Sequence, residues 1–373
     1  MTVNGTVNGI VDSHEINSQK RKLSPWLQNR SVQRQLLGGV GLLTGIGAGL
    51  ASYAVLQEPL NICMERLTVR LPHAKGRLPR AGLRILHLSD THFQGIDWRE
   101  QAKIERIRQL TLGLEYDILV HTGDFWHNEM GLENLLLLLD ALPPPRIAGY
   151  GVLGNHDYVC YSHSDMLTRN WDRYQSYVGQ SNSIHARSLA ALIANARDFY
   201  RFAQYVLNVP FELKRVHFNN VQRLTKALAP HGIEVLHNRS LHLRHKVGPR
   251  DLLDLYLAGV DDVTEGTPNL TQTLLDLPPD APNILLSHNP DILEDPHSRR
   301  ANLILAGHTH GGQVVLPFIG AAHTHSEHLQ RREAAGYMVR DQTQVYVSRG
   351  IGEGIPLRFG ARPQIALITV VGE

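Results

Sequence analysis

Five short segments carry chemistry in a fixed order: Asp90-Thr91-His92, Gly123-Asp124, Gly154-Asn155-His156-Asp157, Ser287-His288-Asn289 and Gly307-His308-Thr309-His310. Their carboxylate, amide and imidazole groups make a mixed oxygen and nitrogen donor set. Such a set suits borderline divalent ions better than a thiolate cage would. It predicts a hydrolase that works with two metal ions. Each segment alone has a plainer explanation, because an Asp-x-His at a strand end or a lone Gly-Asp is commonly just a turn. Co-occurrence in a matching context is what argues for metal.

That context is a strand before each segment. Arg84 to Leu88 precedes the first, Tyr116 to Val120 the second, Ile147 to Leu153 the third, Asn283 to Leu286 the fourth and Asn302 to Leu305 the fifth. Short apolar runs bounded by Gly, Asn and Asp predict buried strands. Loops beyond such strands gather on one edge of a sheet, where open α/β folds bind ligands.

The pattern resembles the calcineurin-like metallophosphoesterases from about Arg84 to Val371. The stretch Gly307-His308-Thr309-His310-Gly311-Gly312-Gln313 is similar to their membrane-associated bacterial branch. So are Ser348-Arg349-Gly350-Ile351-Gly352 and Arg358-Phe359-Gly360-Ala361-Arg362-Pro363. The resemblance implies a four-layer αββα sandwich, two mixed sheets flanked by helices. It implies that Asp90, His92 and His310 hold one divalent ion (Mn, Fe or Zn), that Asn155, His288 and His308 hold another, and that Asp124 bridges them. A hydroxide shared by two cations becomes available near neutral pH and would attack phosphorus. His156 is left uncoordinated and is the expected general acid, with Asp157 beside it to fix its tautomer.

Related enzymes often carry an acid three residues after the bridging Asp, where this chain has His127. A partly solvated loop histidine is expected there, although a ligand's outer partners do tune metal affinity. The run His323-Thr324-His325-Ser326-Glu327-His328 is expected as a solvated loop, and Asp261-Asp262 as the brace of a turn.

Residues 36–56 form a twenty-one-residue run without charge. A helix of about 20 residues crosses a bilayer, so this run is expected to be a single transmembrane anchor. Gly41, Gly45 and Gly49 could let two such helices pair as a homodimer. The remaining organisation is a disordered basic leader over 1–35, a linker with a first strand over 57–83, and the catalytic domain over 84–373. Basic Lys20, Arg21, Lys22, Arg30 and Arg34 precede the span, while Arg66, Arg70 and Lys75 follow it. That bias places the catalytic domain outside the cytoplasm, periplasmic on a bacterial inner membrane, with the cytoplasmic face as the alternative. A net charge of +2 and the lack of a basic reader motif give no reason to expect a nucleic-acid partner. Cys63 and Cys160 do not decide the compartment.

Residues 158–230 separate the third segment from the fourth and are both basic and aromatic. Helical spacing over Ser188 to Asn208 predicts a cap, which either packs simply on the core or binds an anionic amphiphile. The expected activity is hydrolysis of a phosphodiester or pyrophosphate bond in a phosphorylated small molecule or lipid-linked substrate. Resemblance also extends to UDP-2,3-diacylglucosamine hydrolases of lipid A assembly. A non-catalytic metal-binding scaffold is the alternative outside enzymes, and it would predict missing ligands.

Overall fold

Strand β2 (Leu83–Leu88) shows how this sequence builds its layers. Leu83 and Ile85 point to one side and Leu86 and Leu88 to the other, and both sides are buried. Two-sided burial of an alternating chain requires a sheet covered on both faces. The computed structural model describes residues 45–95, 98–162, 166–178, 197–198, 201–202, 205, 213–247, 251–326 and 328–373.

The first sheet joins β1 (Cys63–Leu71), β2, β3 (Ile118–Thr122), β4 (Ala148–Val152), β7 (Ile233–Val235) and β16 (Gln364–Gly372) in the order β1-β16-β2-β3-β4-β7. It is mixed, because β16 runs antiparallel to β2 while the other pairs are parallel. The second sheet orders β8 (Arg239–Lys246), β9 (Leu252–Gly259), β10 (Asn283–Leu286), β11 (Leu303–Ala306), β14 (Gly336–Arg340) and β15 (Thr343–Val347) as β14-β15-β11-β10-β9-β8. Its central pairs are parallel and its two edges antiparallel. Val69, Ile85, Val120 and Val152 of the first sheet meet Leu255, Leu257, Ile284 and Leu305 of the second in one core. Each such buried side chain contributes about 1.5–3 kcal/mol.

The outer face of the first sheet is covered by α1 (Trp98–Thr111), α2 (Leu132–Ala141) and, beyond the short α3 (Asn155–Tyr158) and α4 (Met166–Val178), by α5 (Val221–Leu228). The outer face of the second sheet carries less: α6 (Leu270–Thr273) and 3-10 turns around Ile292 and Ala301. The two mixed sheets agree with expectation, whereas this fourth layer is thinner than the resemblance implies.

The expected N-terminal span is described only in part. Among the described residues no helix is long and apolar enough to cross a membrane. Residues 36–44 of the expected span, the whole leader and Gly41 lie outside the described residues. Residues 45–52 are helical, after which the helix widens to a π turn over Tyr53–Gln57 and tightens to a 3-10 turn over Glu58–Leu60. The reason is that this end belongs to the compact unit Ser52–Glu373. Ala54 is buried and its carbonyl accepts from Arg358 N, while Glu58 Oε1 accepts from Ala361 N at 2.8 Å. The first strand expected in 57–83 is β1, paired along its length with β16. Cys63 and Cys160 are free thiols.

In the 158–230 region, β5 (Val159–Ser162) pairs antiparallel with β6 (Lys214–Phe218), making a two-stranded stem. Trp171 and Tyr174 of α4 pack edge-on against Phe202, with ring centres 4.9 and 5.6 Å away. Most of the helix expected over Ser188 to Asn208 lies outside the described residues.

Candidate metal centre

Five strands end just short of the chemistry. Asp90 follows β2, Asp124 follows β3, Asn155 follows β4, His288 follows β10 and His308 follows β11 by two or three residues each. Parallel strands deliver their C-terminal loops to one edge, and the two sheets present theirs to each other. Asp90, His92, Asp124, His308 and His310 all adopt positive φ, between 47° and 71°. This is an uncommon conformation for residues with a side chain, and it occurs where surrounding structure imposes it.

The loops are laced together by their backbones. Asp90 N donates to Gly123 O, His92 N to Asp124 O, and Gly307 N to His288 O. His308 N donates to Asp90 Oδ1, and His156 N to Asp124 Oδ1. A Cβ on Gly307 would lie 1.9 Å from Ser89 Oγ and 2.3 Å from Asp90 Oδ2, so the close approach requires glycine there.

The side chains converge around Asp124. Its Oδ2 lies 3.2 Å from His92 Nε2 and 3.2 Å from His288 Nε2. On one side, His92 Nε2 is 3.0 Å from His310 Nε2, which is 3.7 Å from Asp90 Oδ1. On the other, Asn155 Oδ1 is 3.2 Å from His288 Nε2 and 3.1 Å from His308 Nδ1. Ligand atoms that share an ion with bonds of about 2.0–2.2 Å sit at such separations. Groups of Asp90, His92 and His310, and of Asp90, Asp124 and His288, could each hold a metal ion.

Two imidazoles are already turned for that task. His288 Nδ1 donates to Thr122 O at 2.7 Å, and His308 Nε2 donates to His325 O at 3.0 Å. Each bond leaves the other ring nitrogen facing the cluster, which is how an outer hydrogen bond selects the coordinating atom. Asp90 is oriented by a relay: His87 Nε2 meets Thr122 Oγ1, which donates to Ser89 Oγ, which donates to Asp90 Oδ2.

Electrostatics of the cluster's own groups follow from burial against mutual attraction. Burial opposes charge on His288, but the carboxylates of Asp124, Asp90 and Asp262 outweigh it and hold its pKa well above the histidine range. Burial likewise opposes charge on Asp124, and His288, His92 and His156 outweigh it, keeping the carboxyl well below its range. A proton on His288 thus neutralises Asp124. Burial, joined by His288, pushes His308 down to about 3, so that ring stays neutral. Neutral imidazoles and ionised carboxylates are the forms that bind metal.

His156 lies beside the cluster. Its ring sits edge-on to His92 at 4.5 Å and to Tyr161 at 4.8 Å, and is tilted against His127 at 4.8 Å. Asp157 has a different task from the one expected of it. Its carboxylate accepts the backbone N–H of Asp124, Phe125 and Gly154 at 2.8–2.9 Å, so it braces the Asp124 loop against the Asn155 loop.

Two further expectations are corrected. His127 is buried, not solvated, and its Nε2 donates to Tyr161 O at 3.1 Å. The His323–His328 run is not a free loop: His323 and His325 are half-buried, and the His325 carbonyl holds His308. Asp261 and Asp262 do brace a turn, accepting backbone N–H groups of Thr267, Thr264 and Glu265.

The model of the Calcineurin-like phosphoesterase family matches residues 83–312, more than half of the chain. The chain belongs to that family. Its members bind divalent metals, and this chain is a metal-dependent hydrolase. It is 28% identical to the UDP-2,3-diacylglucosamine pyrophosphatase LpxG of Chlamydia trachomatis over 85% of this chain and 91% of that one. It is 34% identical to the phosphodiesterase YaeI of Escherichia coli over 24% of this chain and 33% of that one. It is also 36% identical to a transmembrane protein with metallophosphoesterase domain of Bos taurus, over 84% and 57%.

Sequence reasoning missed the support beneath the family's motifs. Arg358 is fully buried; it donates to Glu353 Oε2 and to the carbonyls of Arg349, Gly352, Ala361 and His310. Lys103 of α1 reaches the same Glu353 carboxylate at 2.8 Å. The closing Arg358-Phe359-Gly360 string was visible in sequence, but its partners are far apart along the chain.

Proposed function

We propose that Asp90, His92 and His310 hold one divalent ion, that Asn155, His288 and His308 hold a second, and that Asp124 is shared. The observation that carries this is the Asp124 Oδ2 position, equidistant at 3.2 Å from one imidazole of each set. When bound, such ions draw charge from phosphoryl oxygens and make water acidic. The proposed reaction is hydrolysis of a phosphodiester or pyrophosphate bond.

The chain's own groups supply the rest. A water that has given up a proton to solvent forms a bond from its oxygen to phosphorus, the bond to the leaving oxygen breaks, and that oxygen departs with the electron pair. His156 donates the proton the leaving oxygen needs and is reprotonated from solvent. Packing against His92, His127 and Tyr161 limits the rotation of its ring. Asp157 keeps the loops of Asp124 and Asn155 in register.

For the substrate, the chlamydial relative favours the pyrophosphate bond of a UDP-linked acylated sugar, since that likeness spans most of both chains. Association with a membrane through the N-terminal region is supported by the apolar run at 36–56 and by the bovine relative's name. The full chain, supplied with manganese, should hydrolyse both a chromogenic phosphodiester and a UDP-linked diacylated glucosamine. Turnover of the phosphodiester alone would remove the lipid-linked substrate; turnover of neither would overturn the hydrolase reading.

A further inference from the structure

We infer that Asn219, at the return of the 158–230 segment, is a positioning residue that sets the proton-donating His156 through the backbone. The inference rests on the reading of His156 as the general acid. Asn219 follows β6, whose partner β5 begins three residues after His156, so the stem of the segment brings both ends of the chain back to one place. There the Asn219 amide donates through Nδ2 to His156 O at 2.9 Å and to His127 O at 3.3 Å. Its backbone N–H donates to Tyr158 O at 2.8 Å.

One buried side chain therefore ties the carbonyls of two loops from different strands. These loops carry the rings that pack tilted against each other at 4.8 Å beside the cluster. The same stem supplies Tyr161, whose ring packs edge-on against His156 and whose carbonyl accepts from His127. A carboxamide can donate two N–H bonds at once, and here both go to backbone carbonyls. Neither His156 nor His127 can shift along its loop without breaking one of them. Among the described residues Asn219 Oδ1 is buried with no hydrogen-bond partner, so the amide is held by its donors and by packing.

A group acting through a general acid matters in proportion to how much the leaving oxygen needs a proton. The test compares phosphodiesters with an alkoxide and a p-nitrophenolate leaving group, using the full-length chain with manganese. Asn219→Leu keeps the volume and removes both donors; it should lower kcat roughly tenfold or more for the alkoxide ester, and less than about twofold for the nitrophenyl ester. Metal content, measured alongside, should match the parent, while melting temperature should fall by a few degrees because two buried carbonyls lose their donor. In a His156→Ala background the same substitution should change neither rate. Equal slowing of both substrates by Asn219→Leu, or a further loss on top of His156→Ala, would show a merely structural role and overturn the inference alone. Equal slowing of both substrates by His156→Ala itself would overturn the general-acid reading, and this inference with it.

Discussion

Asp124 places one oxygen between two imidazoles that come from different sheets, so removing it should affect both halves of the cluster. Asp124→Ala is expected to lose bound metal at both sites and to abolish turnover, checked by elemental analysis of the purified protein; full metal content with normal turnover would refute the shared-ligand assignment. Asp262 offers a second test at this scale. Burial pushes its pKa from the ordinary carboxylate value of 3.8 up to about 6. The folded state therefore binds its proton more tightly than the unfolded chain. Below 3.8 both states are protonated and the residue is neutral in effect; as pH rises toward 6 the buried charge increasingly opposes folding, and the opposition is constant above. A difference of about two units corresponds to roughly 3 kcal/mol. In chelator-treated protein, Asp262→Asn keeps an oxygen for the N–H groups of Thr264 and Glu265. It should raise unfolding free energy by up to about 3 kcal/mol at pH 7–8 and by almost nothing below pH 3.5. A gain independent of pH would show that charge is not the cause.

Helix α1 and the loop after β15 share an apolar cluster through Ile104, Ile107 and Ile351, and they also meet through buried charges. Glu100, Lys103, Ile104, Ile107 and Thr111 share the buried face of α1, so helical spacing delivers Lys103 as well as the isoleucines to the core. Glu353 stands between Lys103 and Arg358, all of them buried, and Arg358 in turn holds the carbonyl of His310. Replacing one member of such a buried group leaves the others uncompensated, which costs about 3–5 kcal/mol. Glu353→Gln should lower stability by about that amount in a urea titration and weaken metal retention through His310. A variant as stable as the parent would mean that Glu100 suffices to balance the two cations.

Across the whole molecule, two sheets packed on one shared core meet at one edge carrying three carboxylates and several imidazoles. Cations that bind only this folded arrangement should stabilise the entire unit Ser52–Glu373. Binding at a concentration 100-fold above the dissociation constant adds about 2.7 kcal/mol. Manganese added to chelator-treated protein should therefore raise the melting temperature by several degrees in scanning fluorimetry. It should do so less as pH falls toward 5, because protons then compete for His288 and its neighbours. An unchanged melting temperature at millimolar metal would count against any resident ion.

The sequence by itself determined the order of the five segments and the strands before them, because a β-strand bounded by turn residues is a local signal that needs no partner. It also determined which residue types face the site, since the residues just beyond a strand's C-terminal end can point only to that edge. Tertiary structure decided what those residues touch. Asp157 is adjacent to His156 in sequence, yet its carboxylate is drawn to the backbone N–H groups of the Asp124 loop. His127 and His325 read as polar loop residues, but packing buries the first against Tyr161 and sets the carbonyl of the second on His308. The run 36–56 is uncharged and long enough for a membrane span, but its last residues are taken up by the folded unit, where Ala54 meets Arg358 from the far end of the chain. The longest of these contacts join residues hundreds of positions apart, as do Lys103 with Glu353 and Glu58 with Ala361. Local pattern carries no information about them, because they exist only once both sheets are assembled.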